Sequence, residues 1–239
     1  MATYVLIHGA GSDSWEWHLV APLLRARGHE VVAPDLPCED EEAGLAEYAD
    51  AVLDAVGDRT GLVLVAQSMA GFTAPLVCER VPVDLMVLVA AMVPAPGESP
   101  GDWWANTGQA GARRELDERE GRDPDAEFDP AVTFLHDLPA DVLAEAMAGH
   151  ARGQAEAPFR KPWPLRHWPQ VPTRFLLGRQ DRFFPADFQR RVVRERLGLT
   201  PDEIDCGHLP ALARPEELVE RLEAYRTGLQ EQGRPGPTG

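Results

Sequence analysis

The chain has 239 residues, 44% hydrophobic and 26% charged, with a formal net charge of -16 and Lys161 as its only lysine. That length suits one α/β domain carrying an insertion and is ample for a sizeable core. So acidic a surface repels phosphate backbones and anionic lipids, so neither nucleic acid nor a membrane is expected as a partner.

Cys38, Cys78 and Cys206 form no CxxC pair and are odd in number, which argues for free thiols in a reducing compartment. The N-terminal run lacks a basic leader and is too short for a signal peptide. No segment reaches the roughly 20 apolar residues of a membrane helix. A cytoplasmic protein is the expectation.

Residues 3–8 (TYVLIH) are apolar and β-branched and stop at Gly9-Ala10-Gly11, the pattern of a buried strand entering a tight loop. Residues 17–27 have apolar positions at helical spacing and end at Gly28. Residues 30–33 (EVVA) predict the next strand, 43–56 an amphipathic helix, 61–66 (GLVLVA) a third strand, 69–80 a third helix and 84–91 (DLMVLVAA) a fourth strand. Strands and helices alternating at this rhythm predict a parallel sheet. Continuously apolar strands predict helices over both of its faces.

The rhythm breaks over residues 94–170, which are rich in Pro, Gly, Asp, Glu and Trp and show one clear helix near 139–149. It returns with a strand at 173–177 (TRFLL), a helix near 186–197, a strand at 203–206 and a last helix from Pro215 to about 229. The expected organisation is a core built from 1–93 and 171–229, a cap insertion at 94–170 and a disordered tail at 230–239. The insertion follows the carboxyl end of the fourth strand, the edge at which open α/β sheets bind ligands, so it is placed to act as a lid.

Four short stretches carry chemistry. Ala66-Gln67-Ser68-Met69-Ala70-Gly71 sets Ser68 between a strand and a helix, the context of a nucleophile elbow. Such a turn needs small residues two before and two after the serine, and both are alanines here rather than the glycines of GxSxG. Alone, Ser68 could equally N-cap the third helix. His8-Gly9-Ala10-Gly11 can aim backbone N–H groups at a developing oxyanion, with Ala10 and Met69 as donors, although a plain strand-ending turn would look the same.

Gly178-Arg179-Gln180-Asp181 delivers an acid at a strand end, where a carboxylate can fix the tautomer of a histidine. In a chain with 39 acids that alone says little. Cys206-Gly207-His208 follows the last strand. Asp205 is the rival acid, but three residues is a poor spacing for reaching the far imidazole nitrogen. The combination decides: Ser68, Asp181 and His208 occur in the order Ser…Asp…His, each just past a strand's carboxyl end, and should converge on one sheet edge.

VLIHGAGSDSWEWHLVAPLLRARGHEVVAPDL, LVLVAQSMAGF, VPAPGES, GRQDRFFPADFQRR and GHLPALARPEEL together give a chain that resembles the α/β-hydrolase superfamily over nearly its whole length. The layout is most similar to the small methylesterase and hydroxynitrile lyase group of plants and related bacterial esterases. The resemblance implies a mostly parallel sheet of about six strands flanked by helices under a helical cap, without the superfamily's optional first two antiparallel strands. It puts nucleophile, acid and base on Ser68, Asp181 and His208 and the oxyanion donors on Ala10 and Met69, with no metal or organic cofactor. Two departures stand out. Gln67 occupies the place where a His commonly precedes the nucleophile, and Pro75 inside the third helix should remove one backbone bond and kink it.

The lyase members carry a Thr where this chain has Gly9 and a Lys where it has Leu209, so the esterase reading is favoured. Dehalogenases and most epoxide hydrolases of the superfamily use an Asp nucleophile, against Ser68. The implied activity is hydrolysis of a carboxylic ester of a small to medium apolar or aromatic substrate. A non-hydrolytic biosynthetic step, or a small-molecule receptor, is the alternative on the same fold. Gly9, Trp104, Phe134 and Phe183 are the candidate substrate contacts, with Phe184 as a further wall. Most other aromatics of the insertion are expected to form its own core. The expected partner is a small-molecule substrate, and the size permits a monomer or a homodimer.

Overall fold

The computed structural model describes residues 1–149 and 152–232. Its elements are β1 (Thr3–Ile7), a 3-10 turn at Ser14–Trp17, α1 (Val20–Ala26), β2 (Glu30–Val32), α2 (Leu45–Val56), β3 (Leu62–Gln67), α3 (Ala70–Cys78) and β4 (Val83–Val89). An insertion follows, with α4 (Pro100–Thr107), α5 (Gln109–Arg119), α6 (Pro130–Thr133), α7 (Ala140–Met147) and α8 (Ala157–Arg160). The core resumes with β5 (Thr173–Gly178), α9 (Ala186–Leu197), β6 (Asp202–Ile204), α10 (Pro210–Ala213) and α11 (Pro215–Gln232).

All six strands pair in parallel, in the order β2-β1-β3-β4-β5-β6. Alternate residues of each strand serve opposite faces. Val5, Ile7, Leu62 and Leu64 join a core shared with α2, α3 and α9, whereas Tyr4, Leu6, Val63 and Val65 join a second core with α1 and α11. Burying one such Val or Leu contributes about 1.5–3 kcal/mol, which is why these strands are apolar without interruption. β3 lies between β1 and β4, so the Gly9 turn and Ser68 leave the sheet as neighbours.

Three expectations need correction. The helix expected over 17–27 divides, because the Asp13 carboxylate accepts from the Trp15 N–H at 3.0 Å and starts a separate 3-10 turn before α1. Among the described residues the insertion holds four helices besides the expected one. α4 is opened by the Ser99 cap and Pro100 and closed by Gly108 at φ 69°, while α5 buries only Gln109, Leu116 and Asp117 and so shows almost no apolar periodicity. α11 runs to Gln232, into the stretch expected as a tail, and residues 233–239 lie outside the described residues. α3 continues through Pro75.

The insertion is anchored rather than loosely laid on. The buried indoles of Trp103 and Trp163 donate to the backbone carbonyls of Val93 and Phe72 at 3.0 and 3.1 Å. The Glu98 carboxylate accepts from Arg196 of α9 at 2.9 Å and from Asn106 at 2.9 Å. These two tryptophans therefore join the core shared by the sheet, α2, α3 and α9, rather than a core of the insertion's own, because their indoles reach down to the backbone after β4 and of α3. Among the described residues no helix is long and apolar enough to cross a membrane.

Candidate active site

β3 runs straight into Ser68, which adopts φ 50°. That left-handed conformation is costly for a residue with a Cβ and lifts the side chain out of the strand-to-helix turn. The turn is fixed from both sides: Ser68 N–H donates to Val89 O at 3.2 Å, and Ser68 O accepts from Met92 N–H at 2.9 Å. Ala66 and Ala70 are buried, but the tightest approach is one residue further on. A methyl group at Gly71 would lie 1.9 Å from Met92 O, so α3 can press against the segment after β4 only because Gly71 has none.

The three residues singled out by their order in the sequence meet. His208 Nε2 lies 3.1 Å from Ser68 Oγ, and His208 Nδ1 lies 2.8 Å from Asp181 Oδ2. Asp181 Oδ1 accepts from the Phe183 and Phe184 N–H groups at 2.8 and 2.9 Å, and Oδ2 also accepts from Gln189 Nε2 at 3.2 Å. These bonds fix the carboxylate so that Nδ1–H donates to it, which leaves Nε2 free to accept from the Ser68 hydroxyl. An imidazole held this way can take a proton from the hydroxyl as it attacks an electrophile. The rival Asp205 is exposed and accepts from Gln180 Nε2 at 3.0 Å, away from the imidazole.

Gln67, whose part was not legible in the sequence, joins two loops. Its Nε2 donates to the His208 carbonyl at 3.2 Å, and a Cβ built on Gly9 would meet its Oε1 at 2.3 Å and Ser68 Cβ at 3.0 Å. The glycine is thus required for the first turn to lie against Ser68. His8 stiffens that turn from inside: Nε2 accepts from Leu36 N–H at 3.0 Å and Nδ1 lies 2.8 Å from Gly9 O. Burial pushes the His8 pKa down and keeps the ring neutral, the form these two bonds need. Gly11 is held by the insertion, its N–H donating to Gln154 Oε1 and its carbonyl accepting from Arg152 N–H, both at 3.0 Å. The two candidate oxyanion donors are the exposed Ala10 at the turn's tip and the buried Met69 at the start of α3, where a helix leaves its first N–H groups without internal partners.

Behind this turn lies Glu16. It is 2% exposed, and its Oε1 has no hydrogen-bond partner among the described residues. Burial pushes its pKa up to about 7, only partly offset by the Ser12 hydroxyl, the Gly9 amide and His208.

Aromatic rings close over His208. The Phe134, Phe183 and Phe184 centroids lie 5.3, 5.3 and 5.1 Å from the imidazole, and Trp104 meets Phe183 at 5.5 Å. Gly9, Phe134 and Phe183 therefore border the Ser68–His208 pair directly, whereas Trp104 stands one ring further out. Ser68 itself is nearly buried, at 9% exposure. Cavities of about 240 and 340 Å³ lie elsewhere: one beside Ser12, Asp13, Asp35 and Arg152, the other between the insertion and the loop after β5, by Arg113, Arg122 and Arg182. Neither is lined by Ser68 or His208, and the hydrogen-bonded side chains, not these cavities, locate the site. Among the described residues no group of three or more His, Cys, Asp or Glu is placed to hold a metal ion.

The model of the alpha/beta hydrolase family matches residues 4–221. Norfluorocurarine synthase 2 of a Strychnos species is 31% identical, with 92% of this chain and 93% of the relative covered. Methylesterase 3 of Arabidopsis thaliana is 26% identical over 91% of this chain and 93% of its own. The crystal structure of a pyrethroid hydrolase from Sphingobium faniae superposes with a TM-score of 0.76 at 23% identity, covering 96% and 99% of the two chains. The match over most of the chain and the shared sheet agree, and the chain belongs to the alpha/beta hydrolase family.

Proposed function

We propose that this chain is a serine hydrolase that cleaves a carboxylic ester of a small to medium apolar or aromatic substrate through an acyl-enzyme. The observation that carries the reading is the Ser68–His208–Asp181 hydrogen-bonded chain at a strained strand-to-helix turn. His208 Nε2 takes the proton of Ser68 Oγ as the oxygen attacks the ester carbonyl. Asp181 holds the ring and stabilises the imidazolium. The N–H groups of Ala10 and Met69 receive the oxyanion, and losing one such donor typically costs on the order of 3–4 kcal/mol. The alcohol leaves with the proton from His208, and water, deprotonated by the same nitrogen, releases the acid. Phe134, Phe183 and the more distant Trp104 supply an apolar wall for the substrate.

The similarity to a methylesterase and to a pyrethroid hydrolase supports ester cleavage. A second reading, a cofactor-free biosynthetic step on the same side chains, is favoured by the 31% identity to a relative named as a synthase. Ester turnover compared with Ser68→Ala, with the products identified, tests both. Release of alcohol and acid supports the hydrolase, whereas a folded but inert wild-type protein moves the second reading forward.

A further inference from the structure

His208 is carried on a loop after a three-residue strand, β6, so the strand itself gives it little support. The core grips the loop at several points. Gln180 N–H donates to Cys206 O at 2.9 Å, and Gln67 holds the His208 carbonyl. Gly178, at the end of β5, is pressed so closely that a Cβ there would meet Gly207 O at 2.2 Å and Cys206 O at 2.6 Å.

The opposite side of the loop is held from the insertion. Gly207 N–H, one residue before His208, donates to Asp137 Oδ2 at 2.6 Å, across 70 positions of chain. A Cβ on Gly207 would lie 2.7 Å from Asp137 Oδ1 and 3.0 Å from His136 Nε2, so these two side chains lie directly on the loop. His136 also turns towards the Gln180 backbone, beside Asp181. The dipeptide His136-Asp137 therefore spans the loops of both the base and its acid. Asp137 Oδ1 and His136 Nε2 are buried without hydrogen-bond partners among the described residues. Each such atom costs about 1–3 kcal/mol, a penalty that an insertion serving only as a cover could avoid by placing apolar residues there.

We propose that Asp137 is a positioning residue: by accepting the Gly207 N–H it sets the loop that aims His208 at Ser68, so that the insertion orients the base as well as covering it. The inference rests on the Ser68–His208–Asp181 reading. Asp137 acts through the backbone next to His208. A misplacement of about 1 Å in a reacting group costs on the order of 100-fold.

The test is steady-state hydrolysis of p-nitrophenyl butyrate by wild type, Asp137→Ala and Asp137→Asn, with thermal melts of each. Labelling of Ser68 by a fluorophosphonate is followed in parallel, since it reports serine activation without depending on the choice of ester. Asp137→Ala should lower kcat and the labelling rate about 10- to 100-fold, with KM changed less than about threefold. Asp137→Asn keeps an acceptor oxygen and should recover kcat to within about fivefold of wild type. Should the alanine variant not fold, Asp137→Ser, whose hydroxyl is too short to reach Gly207, carries the same expectation. Unchanged kcat in the alanine variant, an effect confined to KM, equal losses in the Asn and Ala variants, or failure of both the Ala and Ser variants to fold would each overturn the proposal. A wild type inert towards both ester and fluorophosphonate would instead count against the serine hydrolase reading itself.

Discussion

Replacing Glu16 with glutamine should stabilise the protein, and more so as pH rises. In the folded chain the Glu16 carboxyl is buried and releases its proton near pH 7, whereas its ordinary value is 4.5. Between these values the unfolded state binds fewer protons than the folded one, so stability falls as pH increases. The loss is small at pH 4.5 and nearly complete above pH 7. At roughly 1.4 kcal/mol per pH unit the whole interval amounts to about 3 kcal/mol. Two neighbours act on it in opposite directions, His208 lowering the Glu16 pKa and Asp13 raising it. Glutamine keeps the shape and cannot ionise. The stability of Glu16→Gln relative to wild type should therefore grow by about 2–3 kcal/mol between pH 5 and pH 8, or roughly 5–10 °C in melting temperature for a chain of this size. Thermal melts of both proteins at pH 5, 6, 7 and 8 measure it. A melting difference that stays constant over that range would refute a buried carboxyl at this position.

Two further substitutions test the close contacts around the elbow. Gly71→Ala places a methyl 1.9 Å from Met92 O, a backbone atom that cannot swing aside, and should destabilise the fold by more than about 3 kcal/mol, read as reduced soluble yield and a lower melting temperature. Gly9→Thr drives a Cβ into Gln67 and towards Ser68; ester kcat should fall at least about tenfold, with a stability loss of about 1–3 kcal/mol by thermal melt.

What could be read from the sequence follows from where the information lies. The strands were legible because burial on both faces makes them unbroken apolar runs, and the order Ser68, Asp181, His208 was legible because each residue sits at a strand's end. The helix expected near 186–197 is α9, whereas α5 was not anticipated, since it buries only Gln109, Leu116 and Asp117 and its sequence is mostly charged. The supporting contacts were hidden for a different reason. Gln67 to His208 and Asp137 to Gly207 link residues 141 and 70 positions apart, and no local pattern marks a side chain that serves so distant a partner. Glu16 is a similar case: in the sequence it is one acid among 39, and only the packing behind the Gly9 turn sets it apart.

The most direct test of the central reading is turnover of a short p-nitrophenyl ester by wild type and Ser68→Ala, purified side by side and matched for melting temperature. The expected result is steady release of p-nitrophenol by wild type, with the variant lower by a factor on the order of 1,000 or more. Equal rates in the two proteins, or no turnover by a folded wild type over a series of acyl chain lengths, would contradict it.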